Sequence, residues 1–201
     1  MLQIPLAPVS WQRMDRAIER VKERLLRAAK ALERAGVPYA VIGGNAVAAW
    51  VSRADEAAVR NTRDVDLLLR RKDFAAADVA LTEVGFVHPK VAMLGQGGSM
   101  DVFLDGPEAK VREAVHILWA GERVRAESLE AAPDVTDSED VGEFQLIALP
   151  ALAHMKLTAF GDKDRMHLRD LLDVGLIHKT WLLEMPPGLR ERLQLLLDTP
   201  E

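Results

Sequence analysis

The sequence of 201 residues contains no cysteine, which excludes disulfide bonds, thiolate metal sites and cysteine nucleophiles. It also lacks any apolar run near the roughly 20 residues that cross a bilayer. The first ten residues carry no basic residue ahead of their apolar ones, so no signal peptide is predicted. Together these absences predict a soluble cytoplasmic protein that does not bind a membrane.

An excess of positive charge is also missing. Lys and Arg number 26 against 31 Asp and Glu, which gives a formal net charge of -5. An acidic chain does not coat nucleic acid through bulk charge, although a local basic site is compatible with this balance. What is present is ordinary globular composition, with 49% hydrophobic and 28% charged residues. This composition excludes wholesale disorder, and the length suits one domain with a small appendage.

The order of the predicted elements favours a mixed α/β fold with a helical C-terminal part. An amphipathic helix covers 11–35, where apolar residues recur at spacings of three and four. The segments that follow are predicted as a strand at 38–44, a helix at 45–54, a strand at 64–70, a helix at 72–85, hairpin arms at 86–94 and 99–105, a short helix at 107–120 and one or two strands within 121–148. We therefore expect an N-terminal helix (1–35) packed on a core (36–148), followed by helices (149–201).

Three aspartates on two predicted strands carry the strongest chemical signal. In DVDLLL, Asp64 and Asp66 lie on one face because alternate side chains of a strand share a face. In SMDVFL, Asp101 can join them if the two strands are neighbours. Crowded carboxylates repel one another unless a cation compensates them, and hard ions such as Mg²⁺ suit an oxygen-rich site. The alternative is that these aspartates simply face water.

A Gly-Gly pair between a strand and a helix is the second signal. Gly43 and Gly44 end the apolar run PYAVIGG, and Asn45 is the expected N-cap of the next helix. Glycines let a backbone approach a phosphate closely, and a helix N-terminus offers N–H groups and a partial positive charge. The pattern indicates a phosphate site, with a plain tight turn as the alternative.

The ordered combination of these motifs resembles the nucleotidyltransferase superfamily typified by DNA polymerase β. Over residues 36–105, a strand-GG-helix unit is followed by RNTRDVDLLL and then by SMDVFL. The arrangement is most similar to the bacterial subgroup that includes the AbiEii-like toxins of abortive-infection systems. That subgroup prefers the form R-x-T-x-D-x-D, which is matched here by Arg60, Thr62, Asp64 and Asp66. A weaker resemblance covers 149–178.

The resemblance implies a mixed sheet flanked by helices, with 36–148 as the nucleotidyltransferase core. It implies an enzyme that moves a nucleoside monophosphate from an NTP, ATP among them, to an acceptor and releases pyrophosphate. The catalytic residues, which would also hold two Mg²⁺ ions with Mn²⁺ as the alternative, are Asp64, Asp66 and Asp101. The glycine turn, Asn45 and Thr62 would bind the nucleotide. Gly44 stands where many catalytic members have Ser, so a phosphate-binding hydroxyl is missing.

One lysine stands in the apolar helix that Pro150 opens. Lys156 has apolar residues around it at helical spacings, so its ammonium must snorkel or meet an anion. The resemblance implies that this anion is the nucleotide triphosphate, and an internal carboxylate is the alternative. In the next helix, His167 shares a face with two aspartates that are expected to form ion pairs rather than to bind a metal. The histidines at 88, 116 and 178 are scattered and predict no site.

Two functions from different classes remain open at this point. The first is metal-dependent nucleotidyl transfer to RNA, to a protein hydroxyl or to a small molecule, as the resemblance implies. The second is a non-catalytic module that binds a nucleotide, or a partner protein in a toxin–antitoxin-like pair. The retained aspartates favour the enzyme, whereas the missing Ser favours the binding module.

Overall fold

A computed structural model of the chain describes residues 8–89 and 100–199, without the side chain of residue 112. The helices are α1 (Trp11–Arg34), α2 (Gly43–Ser52), α3 (Phe74–Glu83), α4 (Leu149–Ala159), α5 (Asp162–Asp173) and α6 (Pro187–Asp198). The strands are β1 (Tyr39–Ile42), β2 (Val65–Leu69), β3 (Met100–Leu104), β4 (Ala114–Trp119), β5 (Ser138–Asp140) and β6 (Gln145–Ile147). None of the described helices combines the length and the apolarity that a bilayer crossing requires.

The six strands form one mixed sheet in the order β3-β4-β2-β1-β6-β5. Strand β2 runs parallel to β4 and antiparallel to β1, and β3 lies antiparallel to β4 at one edge. Strand β6 pairs in parallel with β1 and antiparallel with the other edge strand, β5. Helices pack on both faces of the sheet. The prediction of a mixed sheet flanked by helices, with a helical C-terminal part, is confirmed.

One face of the sheet packs against α1 and α3. Leu67 and Leu69 of β2 point to this face and are fully buried. Leu32 of α1 and Leu81 of α3 are buried in the same cluster. The first ten residues of α1, 11–20, are exposed in contrast. The amphipathic helix therefore covers the sheet with its second half.

The opposite face packs against α2 and the three C-terminal helices. Leu68 of β2 points here, away from its neighbours on either side, and is buried with Leu152 of α4 and Leu168 of α5. Burial on both faces explains why β2 ends in three consecutive leucines. Because side chains alternate along a strand, Asp66 shares this second face with Leu68. We call it the cleft face.

The segment predicted as a short helix at 107–120 is a 3-10 turn at Val111–Glu113 followed by strand β4. The sequence of β4, AVHILW, is almost entirely apolar because the strand lies inside the sheet, between β2 and β3. A short apolar run has no period that separates a strand from a helix. Because β4 lies between them, the strands at 64–70 and 99–105 are not neighbours, and the condition under which Asp101 could join Asp64 and Asp66 is not met.

The predicted hairpin of 86–94 and 99–105 falls partly on residues 90–99, which lie outside the described residues. Its described parts do pair, through an antiparallel bridge between Val87 and Leu104. The N–H of each of these two residues donates to the carbonyl oxygen of the other, at 2.9 Å and 2.8 Å. The first arm thus reaches the edge of the sheet beside β3.

Candidate metal and nucleotide site

The turn from β1 into α2 brings the backbone against the carboxylate of Asp66. Gly43 begins α2 with a φ of 67°, a left-handed conformation that residues with a side chain rarely adopt. A Cβ atom on Gly43 would lie 1.9 Å from Asp66 Oδ2. Glycine therefore permits a contact that no other residue permits here, and the strand-to-helix turn is tied directly to the DxD strand.

The two residues after Gly43 lie against the segment that leads into β2. A Cβ atom on Gly44 would lie 3.0 Å from Thr62 Cβ and Oγ1, so the absent side chain faces Thr62. Asn45 is not the N-cap, because α2 begins two residues earlier and Ile42 holds that position. Asn45 Nδ2 instead donates a 2.7 Å hydrogen bond to the Asp64 carbonyl oxygen. Gly44 thus leaves room for Thr62, and Asn45 holds the backbone at Asp64.

Asp64 and Asp66 lie on the cleft face, close to the glycine turn, with side chains 24% and 18% exposed. Thr62 Oγ1 donates a 2.5 Å hydrogen bond to Asp64 Oδ1, and Lys163 Nζ of α5 lies 3.6 Å from the same oxygen. Burial raises the pKa of Asp64, but the Thr62 hydrogen bond and the charge of Lys163 outweigh it and lower the pKa below its usual value. Asp64 is therefore an anion at neutral pH.

The third member of the cluster is His116 of β4, which pairs in register with Asp66. His116 Nδ1 lies 3.2 Å from Asp66 Oδ1 and 4.0 Å from Asp64 Oδ2. One ligand atom from each of the three residues lies within 4.8 Å of the other two. The hydrogen bond to Asp66 raises the pKa of His116, although burial opposes it. Two carboxylates and an imidazole form a donor set suited to a divalent cation.

Asp101 does not join this cluster, so the expected group of three aspartates is wrong. Asp101 pairs in register with Ile117, which pairs with Leu67, and its side chain therefore shares the α1–α3 face. Its Oδ1 lies 2.8 Å from His88 Nε2. The residue of β3 that points to the cleft face beside His116 is Val102.

A cavity of about 210 Å³ opens beside Asp66 and the glycine turn. Gly43, Asp66 and Lys156 line it together, so predicted site residues from three parts of the chain meet there. The remaining wall is mostly apolar and includes Ile42, Leu118, Val124, Leu152 and Met155. Lys156 is 12% exposed, and its Nζ lies 2.9 Å from Asp164 Oδ1. The lysine thus has an internal carboxylate partner at the edge of the cavity.

Arg60, the first residue of R-x-T-x-D-x-D, connects this segment to α5. Arg60 Nε lies 2.8 Å from Oδ1 of Asp170, whose side chain is 7% exposed. Helix α5 also contributes Lys163 beside Asp64 and Asp164 beside the cavity. The motif therefore holds both the aspartates and the helix that faces them.

Two histidines near the site belong to no recognisable sequence motif. His116 is the lone titratable residue in AVHILW, which is the only signal that the sequence offers for it. His167 of α5 is 5% exposed, and its Nδ1 has no hydrogen-bond partner among the described residues. Burial and the charges of Lys156 and Lys163 lower the pKa of His167 to about 4. His167 is therefore a neutral imidazole at physiological pH.

No family model matches this chain, and no curated protein matches it. Among solved structures, JHP933 from Helicobacter pylori is 17% identical, with 93% of this chain and 75% of that chain covered and a TM-score of 0.47. The antibiotic-resistance factor ANT(2'')-Ia is 14% identical, with 92% and 89% covered and a TM-score of 0.48. A candidate nucleotidyltransferase from H. pylori is 15% identical, with 94% and 78% covered and a TM-score of 0.46. Similarities this distant identify neither a family nor an activity.

Proposed function

We propose that this protein is a metal-dependent nucleotidyltransferase, which moves a nucleoside monophosphate from an NTP to an acceptor and releases pyrophosphate. The observation that carries the proposal is that Asp66, the Gly43 turn and Lys156 line one cavity. Asp64 lies in the same cluster of potential metal ligands as Asp66. Carboxylates for a cation, a helix N-terminus and a lysine are the groups that proteins use to hold a triphosphate.

The donor set of Asp64 and Asp66 fits a divalent cation, because two carboxylates this close need a compensating charge. A bound cation would neutralise the transferred phosphate and align the attacking and leaving oxygens. Thr62 donates to one Asp64 carboxylate oxygen, and Asn45 donates to the Asp64 carbonyl. Thr62 favours the ionised form of Asp64 and Asn45 holds its backbone in place, which supports a role for both residues in nucleotide binding through the cation.

The phosphates would lie at the start of α2. The N-cap of this helix makes no side-chain hydrogen bond, and the first turn contains no acidic residue. The N–H groups of a helix N-terminus attract an anion, and Gly43, the first residue of α2, lines the cavity. Gly43 and Gly44 would act through their backbone, and Lys156 would exchange Asp164 for phosphate oxygens. Lys163 adds a second positive charge close to Asp64.

The reaction needs positioning and charge neutralisation rather than a reactive side chain. A bond forms between the acceptor oxygen and the α-phosphorus, the bond from that phosphorus to the bridging oxygen breaks, and pyrophosphate leaves. The acceptor proton passes to a site carboxylate or to water. The apolar wall of the cavity suits the face of a nucleobase. RNA, a protein hydroxyl and a small molecule remain the candidate acceptors.

One observation favours a second function, a non-catalytic module that binds a nucleotide or a partner protein. Asp101 lies on the other face of the sheet, so the cluster has one carboxylate fewer than the resemblance implies. Gly44 also replaces the Ser of many catalytic members. In this second function the chain binds an NTP with a divalent cation and transfers nothing.

A label-transfer assay tests the proposed function. The protein is incubated with each [α-³²P]NTP, a divalent cation, and in turn total RNA, a protein fraction or a small-molecule fraction. We expect label in one fraction, lost in Asp66→Asn and retained in Asp101→Asn. The second variant is a matched control, because it makes the same change on the opposite face of the same sheet. Cation-dependent NTP binding without label transfer would support the non-catalytic module, and equal loss in both variants would contradict the assigned site.

A further inference from the structure

On the cleft face, a histidine occupies the position where the motif led us to expect a third carboxylate. His116 lies in register with Asp66 on one side and with Val102 on the other. Among the described residues, the group of potential metal ligands at this position is Asp64, Asp66 and His116. The donor set therefore contains a nitrogen, which a set of aspartates does not.

The ring of His116 is oriented by its other nitrogen. His116 Nε2 lies 3.2 Å from the Val111 carbonyl oxygen, an acceptor that only an N–H can satisfy. Nε2 therefore donates to this carbonyl oxygen, and Nδ1 faces Asp66 and Asp64 at 3.2 Å and 4.0 Å. Without a cation Nδ1–H donates to Asp66, and a bound cation would take the place of that proton. A histidine that binds a metal through one nitrogen usually donates the other N–H to a carbonyl or carboxylate in this way.

We propose that His116 Nδ1 is a metal ligand, and that the set of Asp64, Asp66 and His116 selects one first-row transition-metal dication, such as Mn²⁺ or Co²⁺, over Mg²⁺. Mg²⁺ prefers oxygen ligands and keeps its water, whereas an imidazole nitrogen adds more to the binding of first-row transition-metal dications, in the order Mn²⁺ < Fe²⁺ < Co²⁺. The inference depends on the proposed function only for the presence of a divalent cation. It adds the class of that cation and the residue that determines it.

Metal affinity measured by calorimetry on the metal-free full-length chain tests the preference. We expect Mn²⁺ to bind about tenfold or more tighter than Mg²⁺. His116→Asp restores an all-oxygen set and should reduce this ratio to about threefold or less. His116→Gln removes the imidazole without adding charge, and His178→Gln, at an exposed histidine, is the control that should leave the ratio unchanged. Equal affinities for Mn²⁺ and Mg²⁺ in the unmodified chain would overturn the proposal.

Pulsed electron paramagnetic resonance of bound Mn²⁺ identifies the ligand directly and needs no activity. We expect a ¹⁴N coupling in the unmodified protein, its replacement by a ¹⁵N coupling when histidine is ¹⁵N-labelled, and its loss in His116→Gln. The isotope label requires no substitution, so the result stands even if a variant unfolds. Bound Mn²⁺ without nitrogen coupling, or a coupling that persists in a folded His116→Gln variant, would overturn the proposal.

The variant Asp66→Asn separates this inference from the proposed function. If Mn²⁺ binding depends on Asp66 but not on His116, the inference fails and the cation site of the proposed function stands. If no divalent cation binds the unmodified chain, and Asp66→Asn gives the same result, both the His116 inference and the cation site of the proposed function fail. Dependence on both residues, with nitrogen coupling, supports both.

Discussion

Each face of the sheet carries a histidine that lies beside two carboxylates, but the other groups around the two imidazoles differ. On the α1–α3 face, His88 Nδ1 lies 3.1 Å from Asp78 Oδ1, and Nε2 lies 2.8 Å from Asp101 Oδ1. The Phe103 ring stacks on the imidazole with centroids 4.7 Å apart, and Phe74 packs edge-on at 5.4 Å. Both ring nitrogens of His88 therefore have carboxylate partners, and two aromatic rings pack against its imidazole.

The cleft face leaves one nitrogen of His116 directed at two carboxylates. Its other nitrogen is satisfied by a backbone carbonyl, and the carboxylate of Asp66 borders the cavity that Lys156 lines. The two clusters have the same composition, so residue types alone do not distinguish them. The backbone partner of His116 Nε2 and the cavity beside Asp66 do, and the sequence contains neither property.

The largest effect that we expect concerns the glycine that brings the backbone to the cleft-face cluster. Gly43→Ala should lower the free energy of unfolding by about 3 kcal/mol and abolish metal binding, because a left-handed φ is strained with a Cβ and Asp66 must move. Chemical denaturation measures the free energy of unfolding, and calorimetry measures metal binding.

The matched control is Gly175→Ala, whose φ of 73° is similar but whose Cβ would meet nothing within 4 Å. Gly175→Ala should lower the free energy of unfolding by about 1 kcal/mol, because it adds backbone strain but no clash. Its metal affinity should equal that of the unmodified chain. Equal losses in the two variants would show that the contact of Gly43 with Asp66 has no energetic consequence.

The second prediction concerns the buried histidine of the cleft face. The pKa of His167 is about 4 in the folded chain, below its ordinary value near 6.5. The unfolded chain therefore binds a proton before the folded chain does, and stability present above about pH 6.5 is lost as the pH falls towards 4. The loss should reach about 2–3 kcal/mol near pH 4.5 and should be absent in His167→Gln.

Denaturation curves of the two proteins at pH values between about 7 and 4.5 measure this difference. The exposed histidine supplies the control, since His178→Gln should keep the full pH dependence of the unmodified chain. Parallel stability profiles for the unmodified chain and His167→Gln would contradict the buried, neutral state of His167.

The third prediction compares two arginines that anchor a helix on opposite faces. Arg60 binds Asp170 of α5 on the cleft face, and Arg24 of α1 binds Asp105 on the other, at 2.8 Å and 2.9 Å. Replacing either by Met leaves a carboxylate with one partner fewer and should cost about 2 kcal/mol of stability. Arg60→Met should weaken NTP binding more than Arg24→Met does, because α5 carries Lys163 beside Asp64, whereas Arg24 reaches the motif only through the Arg63 carbonyl oxygen. Calorimetry on both variants measures the difference, and equal NTP affinities would contradict the role assigned to α5.

The smallest effect is expected for Lys156→Met, which keeps most of the apolar stem and removes the charge. NTP affinity should fall about five- to tenfold. A charge-assisted contact contributes about 1.5–3 kcal/mol, and part of this is lost because Lys156 must leave Asp164 to make it. The free energy of unfolding should fall by about 1 kcal/mol, because Asp164 loses its ion-pair partner but keeps the hydrogen bond from the Gly161 N–H. A strongly destabilised variant with unchanged NTP affinity would assign Lys156 a purely structural role.

Local patterns predicted the parts of the site that depend on neighbouring residues. Alternation along one strand was enough to place Asp64 and Asp66 on one face, and two glycines after an apolar run marked the turn into α2. These two predictions needed no more than the geometry of one strand or one turn. The order of the segments predicted a mixed α/β fold with a helical C-terminal part, and the resemblance implied the mixed sheet flanked by helices.

Contacts between distant strands could not be predicted in the same way. The alternation of SMDVFL separates Asp101 from Met100 and Val102, but it does not say which face Asp101 takes. The face that Asp101 takes depends on β4, which lies between β2 and β3. The short apolar sequence of β4 is compatible with a helix as well as with a strand. His116 enters the site for the same reason, and the Lys156–Asp164 contact depends on the angle between α4 and α5.

The position of a bound cation in a crystal tests the central claim most directly. Crystals soaked in Mn²⁺ and measured with anomalous scattering would show every ordered site in the chain at once. We predict a peak between the carboxylates of Asp64 and Asp66, beside His116 Nδ1, and none at His88 and Asp101. A peak at His88, or none at Asp64 and Asp66 in crystals saturated with Mn²⁺, would contradict the account.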